Sequence, residues 1–305
     1  GNNTNISTAA DWWIDGTFTP DTSTVTFTGA SSLREIRLDS GTFYNLVING
    51  SGSWKMYTDN RVVSNAFTIQ QGEFQKNGKN LTVNGLTTVS GGTYTNTAAT
   101  GDQTLNGGLT VSGGFFEADS GNVDINGNVI LSSGTLQAPS TGTFTVSGNW
   151  TKTGGTFTHN SGTVTFDGSA QTISGTTTFY HLSVSSTTQL DIASVTVSCY
   201  DLTINANGKL RLDNALDDLN VTGAKIIVSA NGTFEVSDGD IDVSADGLQN
   251  SGMFTMSGGT LDTYSWLYNY ASTATMNISG GILNIDRFPN YYGVVNHSGG
   301  TINNK

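Results

Sequence analysis

The chain has 305 residues, room for two ordinary domains or one repeat array. It carries 24 acidic residues against 12 Lys and Arg, a net charge of −12, with no basic cluster, which excludes a nucleic-acid partner. No apolar run reaches the length of about 18 residues that a membrane helix needs, so membrane insertion is not expected.

Glycine is abundant at 39 and apolar residues recur at fixed intervals, a regularity that disordered chains lack. The chain opens GNNTNIS, without the features of a signal peptide, so a secreted role implies a mature or excised segment. Cys199, the one cysteine, lies in the strand-like VTVSCYDLTI and reads as a buried free thiol.

The first element, DWWIDGTFTPDTSTVTFTG (11–29), introduces a phrase that runs to the end of the chain: Gly, any residue, a large apolar residue, any residue. Next, SLREIRLDS (32–40) alternates like a strand, with Ile36 and Leu38 on one face. The phrase then returns as GTFY (41–44), GSWK (52–55), GEFQ (72–75), GTYT (92–95), GFFE (114–117) and GTLQ (134–137). It continues as GTFT (142–145 and 155–158), GTVT (162–165), GKLR (208–211), GTFE (232–235), GTLD (259–262), GILN (281–284) and GTIN (300–303). From Gly72 to Gly155 the steps are 20, 22, 20 and 21 residues.

A period near 20 that holds several short strands predicts an all-β chain, a parallel β-helix (β-solenoid) of about 13 to 14 coils of roughly 20–22 residues. The apolar third position points inward, and stacking of coils builds a continuous column from it. The phrase is therefore expected to form one face of each coil, with the glycine supplying the corner. Strand ends such as LVING (46–50), LTVNG (81–85), VDINGN (123–128), LTINANG (202–208) and MNISGG (276–281) place Asn at corners. There Asn tolerates left-handed angles and can bond to its stacked neighbour.

A longer repeat overlies the coils. Residues 11–29 match GNWTKTGGTFTHNSGTVTFDG (148–168), FYNLVI (43–48) matches FYHLSV (179–184), and FTIQQGEF (67–74) matches LTINANGKL (202–210). The expectation is one continuous solenoid over 1–305, made of related halves at about 1–147 and 148–305. This pattern of Trp, GTFT, TVTFxG and TFYxLxI resembles repeats of large bacterial secreted and surface-anchored proteins of adhesin type. The resemblance covers about half the chain, in two copies. It implies a right-handed parallel β-helix outside the cell or on its surface, and it carries over no catalytic residue.

Catalysis is not expected. Arg34, Arg37, Arg211 and Arg287 are scattered, Asp217 and Asp218 are adjacent and face opposite ways, and His159, His181 and His297 have no evident partner. A β-helical lyase or glycoside hydrolase that degrades polysaccharide is the alternative, and it would need two or three converging carboxylates. Ice binding is a further alternative, suggested by T-x-T triplets at 17–19, 93–95, 143–145, 156–158 and 163–165. Lys209, Arg211, Glu73 and Glu117 interrupt that array.

Two segments carry candidate sites. In SDGDIDVSADG (237–247), Asp238, Asp240 and Asp242 alternate and Asp246 stands at the next corner. Such carboxylates can hold calcium, with a solvated acidic strand as the plain alternative; no other cofactor is expected. In TYSWLYNY (263–270), Tyr264, Trp266, Tyr268 and Tyr270 share a face if extended. One coil later the offset from the glycine places Phe288 over Trp266 and Tyr292 over Tyr270. Exposed, these rings would bind carbohydrate, with Asn269, Asn290 and Asp286 for the hydroxyls. Turned inward, they would plug the last coils, and Trp12 and Trp13, one ring inward, would be the counterpart at the other end. The chain is thus expected to be a non-catalytic stalk or adhesin segment whose partner is a glycan or another cell-surface ligand.

Overall fold

A computed structural model describes residues 4–57, 60–96, 100–118, 121–244 and 246–305. Among these residues all regular structure is β, every strand pairing is parallel, and the coils number about 15. No helix among them is long and apolar enough to cross a membrane. The chain forms two compact units, Gly1–Val146 with Thr151–Gly162, and Ser147–Trp150 with Thr163–Lys305.

In the first unit several coils have two legs and a short third strand. Phe67–Gln75, Leu109–Glu117 and Val129–Gln137 bend midway at Gly72, Gly114 and Gly134, where φ is positive. Leu81–Val83, Gln103–Leu105 and Val123–Ile125 close the third side. Alternation along each strand sends every second side chain inward, and the registers stack these into columns. Trp54, Phe74, Tyr94, Phe116, Leu136 and Phe157 form one such column. Tyr94 and Phe116 lie stacked, centroids 4.5 Å apart.

In the second unit the three sides separate into three sheets. The first runs from Thr163–Phe166 through His181–Val184, Asp201–Ile204, Lys225–Val228 and Gly247–Asn250 to Leu267–Asn269. Its inward column is Val164, Leu182, Leu202, Ile226, Leu248 and Leu267. The second carries Leu210, Phe234, Phe254 and Met276 inward, and the third Val197, Leu219, Ile241, Leu261 and Leu283.

The Gly-x-apolar-x phrase does not form one face. Phe74 and Phe116 lie on a bent leg of the first unit, while Phe144 lies on its third side. In the second unit Val164, Leu210 and Leu261 occupy three different sheets. A glycine corner followed by an alternating strand suits any side of a coil, so the phrase is reused. The coils number about 15 rather than 13 to 14, and the strand Gln189–Ile192 carries no such phrase, with Ser194 at φ 55° following it.

Polar ladders accompany the apolar columns. Asn126 donates to Asn106 and Asn106 to Asn84, each at 2.9 Å, at successive corners. The halves of the sequence repeat reappear as matching aromatic clusters. Trp12 packs against Phe18, Phe27 and Phe43 at 5.3, 6.1 and 6.2 Å. In the second unit Trp150 packs against Phe166 and Phe179 at 6.4 and 5.3 Å. Trp12 is the ring turned inward and Trp13 the exposed one. Cys199 is buried, and burial, with Asp201 nearby, raises its thiol pKa far out of the reactive range.

Lys76 is buried at a corner of the first unit, its ammonium donating to the carbonyls of Lys79 and Gly101 at 2.7 Å and of Thr100 at 3.3 Å. Burial lowers its pKa to about 8, with Asp102 opposing the shift. In the unfolded chain a lysine holds its proton to about 10.4. Between those values the unfolded state binds the extra proton, so stability rises with pH there and is insensitive to this group below about 8. Urea midpoints of wild type and Lys76→Met at pH 7.5 and 10 test this. Wild type gains on the variant at pH 10, and a constant difference sinks the assignment.

Candidate functional site

The outer surface of the first sheet of the second unit carries a cluster of aromatic and polar side chains. In Gly247–Asn250 and Leu267–Asn269, Leu248, Asn250, Leu267 and Asn269 point inward and are buried. The two asparagines bond to each other at 2.8 Å inside the coil, so Asn269 is not available to a ligand. Alternation then forces Gln249 and Tyr268 outward, directly over one another in register. The Tyr268 hydroxyl donates to Gln249 Oε1 at 3.0 Å, and Lys225 Nζ donates to the same oxygen at 3.1 Å.

Tyr268 anchors a ring cluster. Trp266 lies 6.1 Å from it, Tyr270 6.3 Å and Tyr291 5.9 Å, all close to perpendicular. The Arg287 guanidinium stands 5.7 Å from the Trp266 ring. Burial, helped by Tyr270, Tyr291 and Asp246, raises the Tyr268 phenol pKa and keeps it a donor.

Beside the rings is a recess of about 340 Å³ lined by Lys225, Asp246, Ser265, Trp266 and Tyr268. Register explains its position. Gly247 lies between Lys225 and the Trp266 strand, so this outward column has no side chain there. Only glycine fits: φ is +79°, and a Cβ would meet the Trp266 carbonyl oxygen at 1.9 Å.

The rings are outside the coil rather than a plug within it. Tyr264, Tyr270 and Tyr292 are exposed, and Trp266, Tyr268 and Phe288 half-buried. Their arrangement differs from the expected one by a residue. Trp266 pairs with Arg287, one residue short of the expected Phe288, and Tyr291 packs on Tyr268, where the expected pair was Tyr292 over Tyr270. The turn between the coils is shorter than counting from the glycine implies. Tyr264 is drawn to the third sheet, where the Lys305 ammonium lies 4.1 Å from its ring and 2.7 Å from Asp262.

The carboxylates divide. Asp240 and Asp242 face outward on the third sheet beside Asp218 and Asp262. Burial, then Asp262, Asp218 and Asp240, raise the Asp242 pKa. Asp238 accepts from the Gly239 amide at its corner, and Asp246 lines the aromatic recess instead. Among the described residues no three His, Cys, Asp or Glu side chains are arranged to hold a metal ion.

Two residues have partners that sequence reasoning missed. His181 Nδ1 lies 2.8 Å from the Asp201 carboxylate, its register neighbour one coil on. Asp217 is buried and accepts from the backbone amides of Ser194, Asp213 and Asn214, a corner cap. The spacing of 20 residues between His181 and Asp201 was the one available signal. The T-x-T array is also broken by ion pairs, Lys209 with Glu235 and Arg211 with Asp191, each at 2.8 Å. No known protein family, curated protein or solved structure matches this chain.

Proposed function

We propose that this chain is a non-catalytic carbohydrate-binding segment of an extracellular bacterial surface protein of adhesin type. The observation that carries the reading is the outward cluster of Trp266, Tyr268, Tyr270 and Tyr291, of which the first two line a recess together with Lys225, Asp246 and Ser265. Large ring faces take up the apolar C–H faces of sugars, while a few placed polar groups hold the hydroxyls. Cohesion of the coils comes from Leu248 and Leu267, so the rings are free of any duty in the core. A wall of registered parallel strands holds them in place before a ligand arrives, which lowers the entropic cost of binding.

A glycan-array screen of the intact chain beside Trp266→Ala and Tyr270→Ala tests the reading. Each variant keeps the wild-type circular dichroism and loses binding by about tenfold or more, the scale of a buried aromatic anchor. Unchanged binding in both folded variants, or no glycan bound by wild type, would overturn it.

A further inference from the structure

We infer that the ligand is a neutral polysaccharide lying along the stacking direction, held by a second subsite at Tyr180, Tyr200 and His181 as well as by the Trp266 cluster. The inference rests on the carbohydrate reading above and extends it to the substrate's length and charge.

The second subsite lies on the same outer face. Tyr180 and Tyr200 stack with centroids 4.8 Å apart and planes at 11°. The Tyr200 ring covers Gly223 so closely that a Cβ there would meet it at 2.0 Å, which fixes the ring against the wall. The His181 ring, 4.6 Å from that of Tyr180 and 6.2 Å from that of Tyr200, borders a recess of about 440 Å³ whose polar lining also includes Thr163, Ser183, Asp201, Thr203 and Asn205. Asp201 engages His181 Nδ1, which orients the imidazole and leaves Nε2 for a ligand hydroxyl.

Register joins the two recesses into one track. His181 pairs with Asp201, Leu202 with Ile226, Lys225 with Gly247 and Leu248 with Leu267. Four steps of about 4.8 Å separate the His181 and Trp266 strands, about 19 Å, more than one sugar ring can span. Rings therefore stand at both ends of a row bordered by hydroxyls and amides. The charges along it alternate in sign, Asp201, Lys225, Asp246 and Arg287. With a net charge of −12 on the chain, a polyanion gains nothing from this track and a neutral polymer is not repelled.

Affinity electrophoresis of the intact chain in gels containing neutral glucan, xylan, mannan or galactan, with alginate and pectate as anionic polymers, makes the test. The variants are His181→Gln, Tyr200→Ala and Thr203→Arg, the last adding bulk at an outward position without removing packing, with melting temperature as the fold control. A disaccharide cut from the best polymer is titrated in parallel. A neutral polymer is expected to bind at least about tenfold more tightly than its disaccharide. Each variant should lose that gain on the polymer while Trp266→Ala loses both ligands. Equal affinity for polymer and disaccharide, or folded variants that all bind polymer like wild type, overturns the second subsite and leaves the Trp266 reading intact. Preference for alginate or pectate overturns the neutral-ligand assignment. No binding to any polymer or disaccharide overturns both readings.

Discussion

Trp150→Ala lowers the stability of the second unit by about 3–5 kcal/mol, the range for removing a large aromatic ring from a packed core. The indole is fully buried, packs against Phe166 and Phe179, and donates from Nε1 to Thr177 Oγ1 at 3.1 Å. Alanine removes the ring contacts and leaves a buried hydroxyl with one partner fewer. Collapse around the cavity is resisted because Phe166 and Val184 lie in strands whose registers are set by neighbours. Trp150→Phe keeps much of the volume and should lose less. Urea unfolding followed by far-ultraviolet circular dichroism gives the comparison, read as the midpoint of the second unit's transition because two compact units need not unfold together. A loss below about 1 kcal/mol for the alanine variant would show that the cluster is not a packed core.

Gly72→Ala destabilises the first unit by about 3 kcal/mol or more, although it adds a single methyl group. Two costs combine. The backbone there has φ +67°, which charges an L-residue about 1–2 kcal/mol. The added Cβ would also lie 2.1 Å from the Gly50 carbonyl oxygen and 2.3 Å from that of Gly52. Those are backbone atoms of a neighbouring strand, and Asn49 pairs in register with Gln71, so relief requires moving one coil from the next. Asn207→Gly is the contrast: φ is 63° there, a conformation that asparagine tolerates and glycine adopts freely, and the change should stay within a few tenths of a kcal/mol. Thermal melting of both variants decides it; Gly72→Ala melting like wild type would refute the close stacking of these bends.

The large features of the fold were legible in the residues. Alternation and the glycine period place Phe74, Phe116 and Leu136 inward, and the corner asparagines Asn84 and Asn126 do join a ladder, through Asn106 between them. The sequence repeat likewise anticipates the matching clusters around Trp12 and Trp150. Each of these follows from rules acting within a few residues or from a regular period.

What the tertiary structure decided is which residue of one coil lies over which residue of the next. Corner length varies from coil to coil, so a count from the nearest glycine slips by one, and Trp266 meets Arg287 rather than Phe288. The same dependence on register hides the His181–Asp201 pair, the Gly247 gap beside Trp266 and the separation of Asp246 from Asp240 and Asp242. Alternation alone determined which side chains face out, because that rule is local to a strand. Their assembly into a track depended on interstrand hydrogen bonds between residues about 20 positions apart, and no local rule sets those.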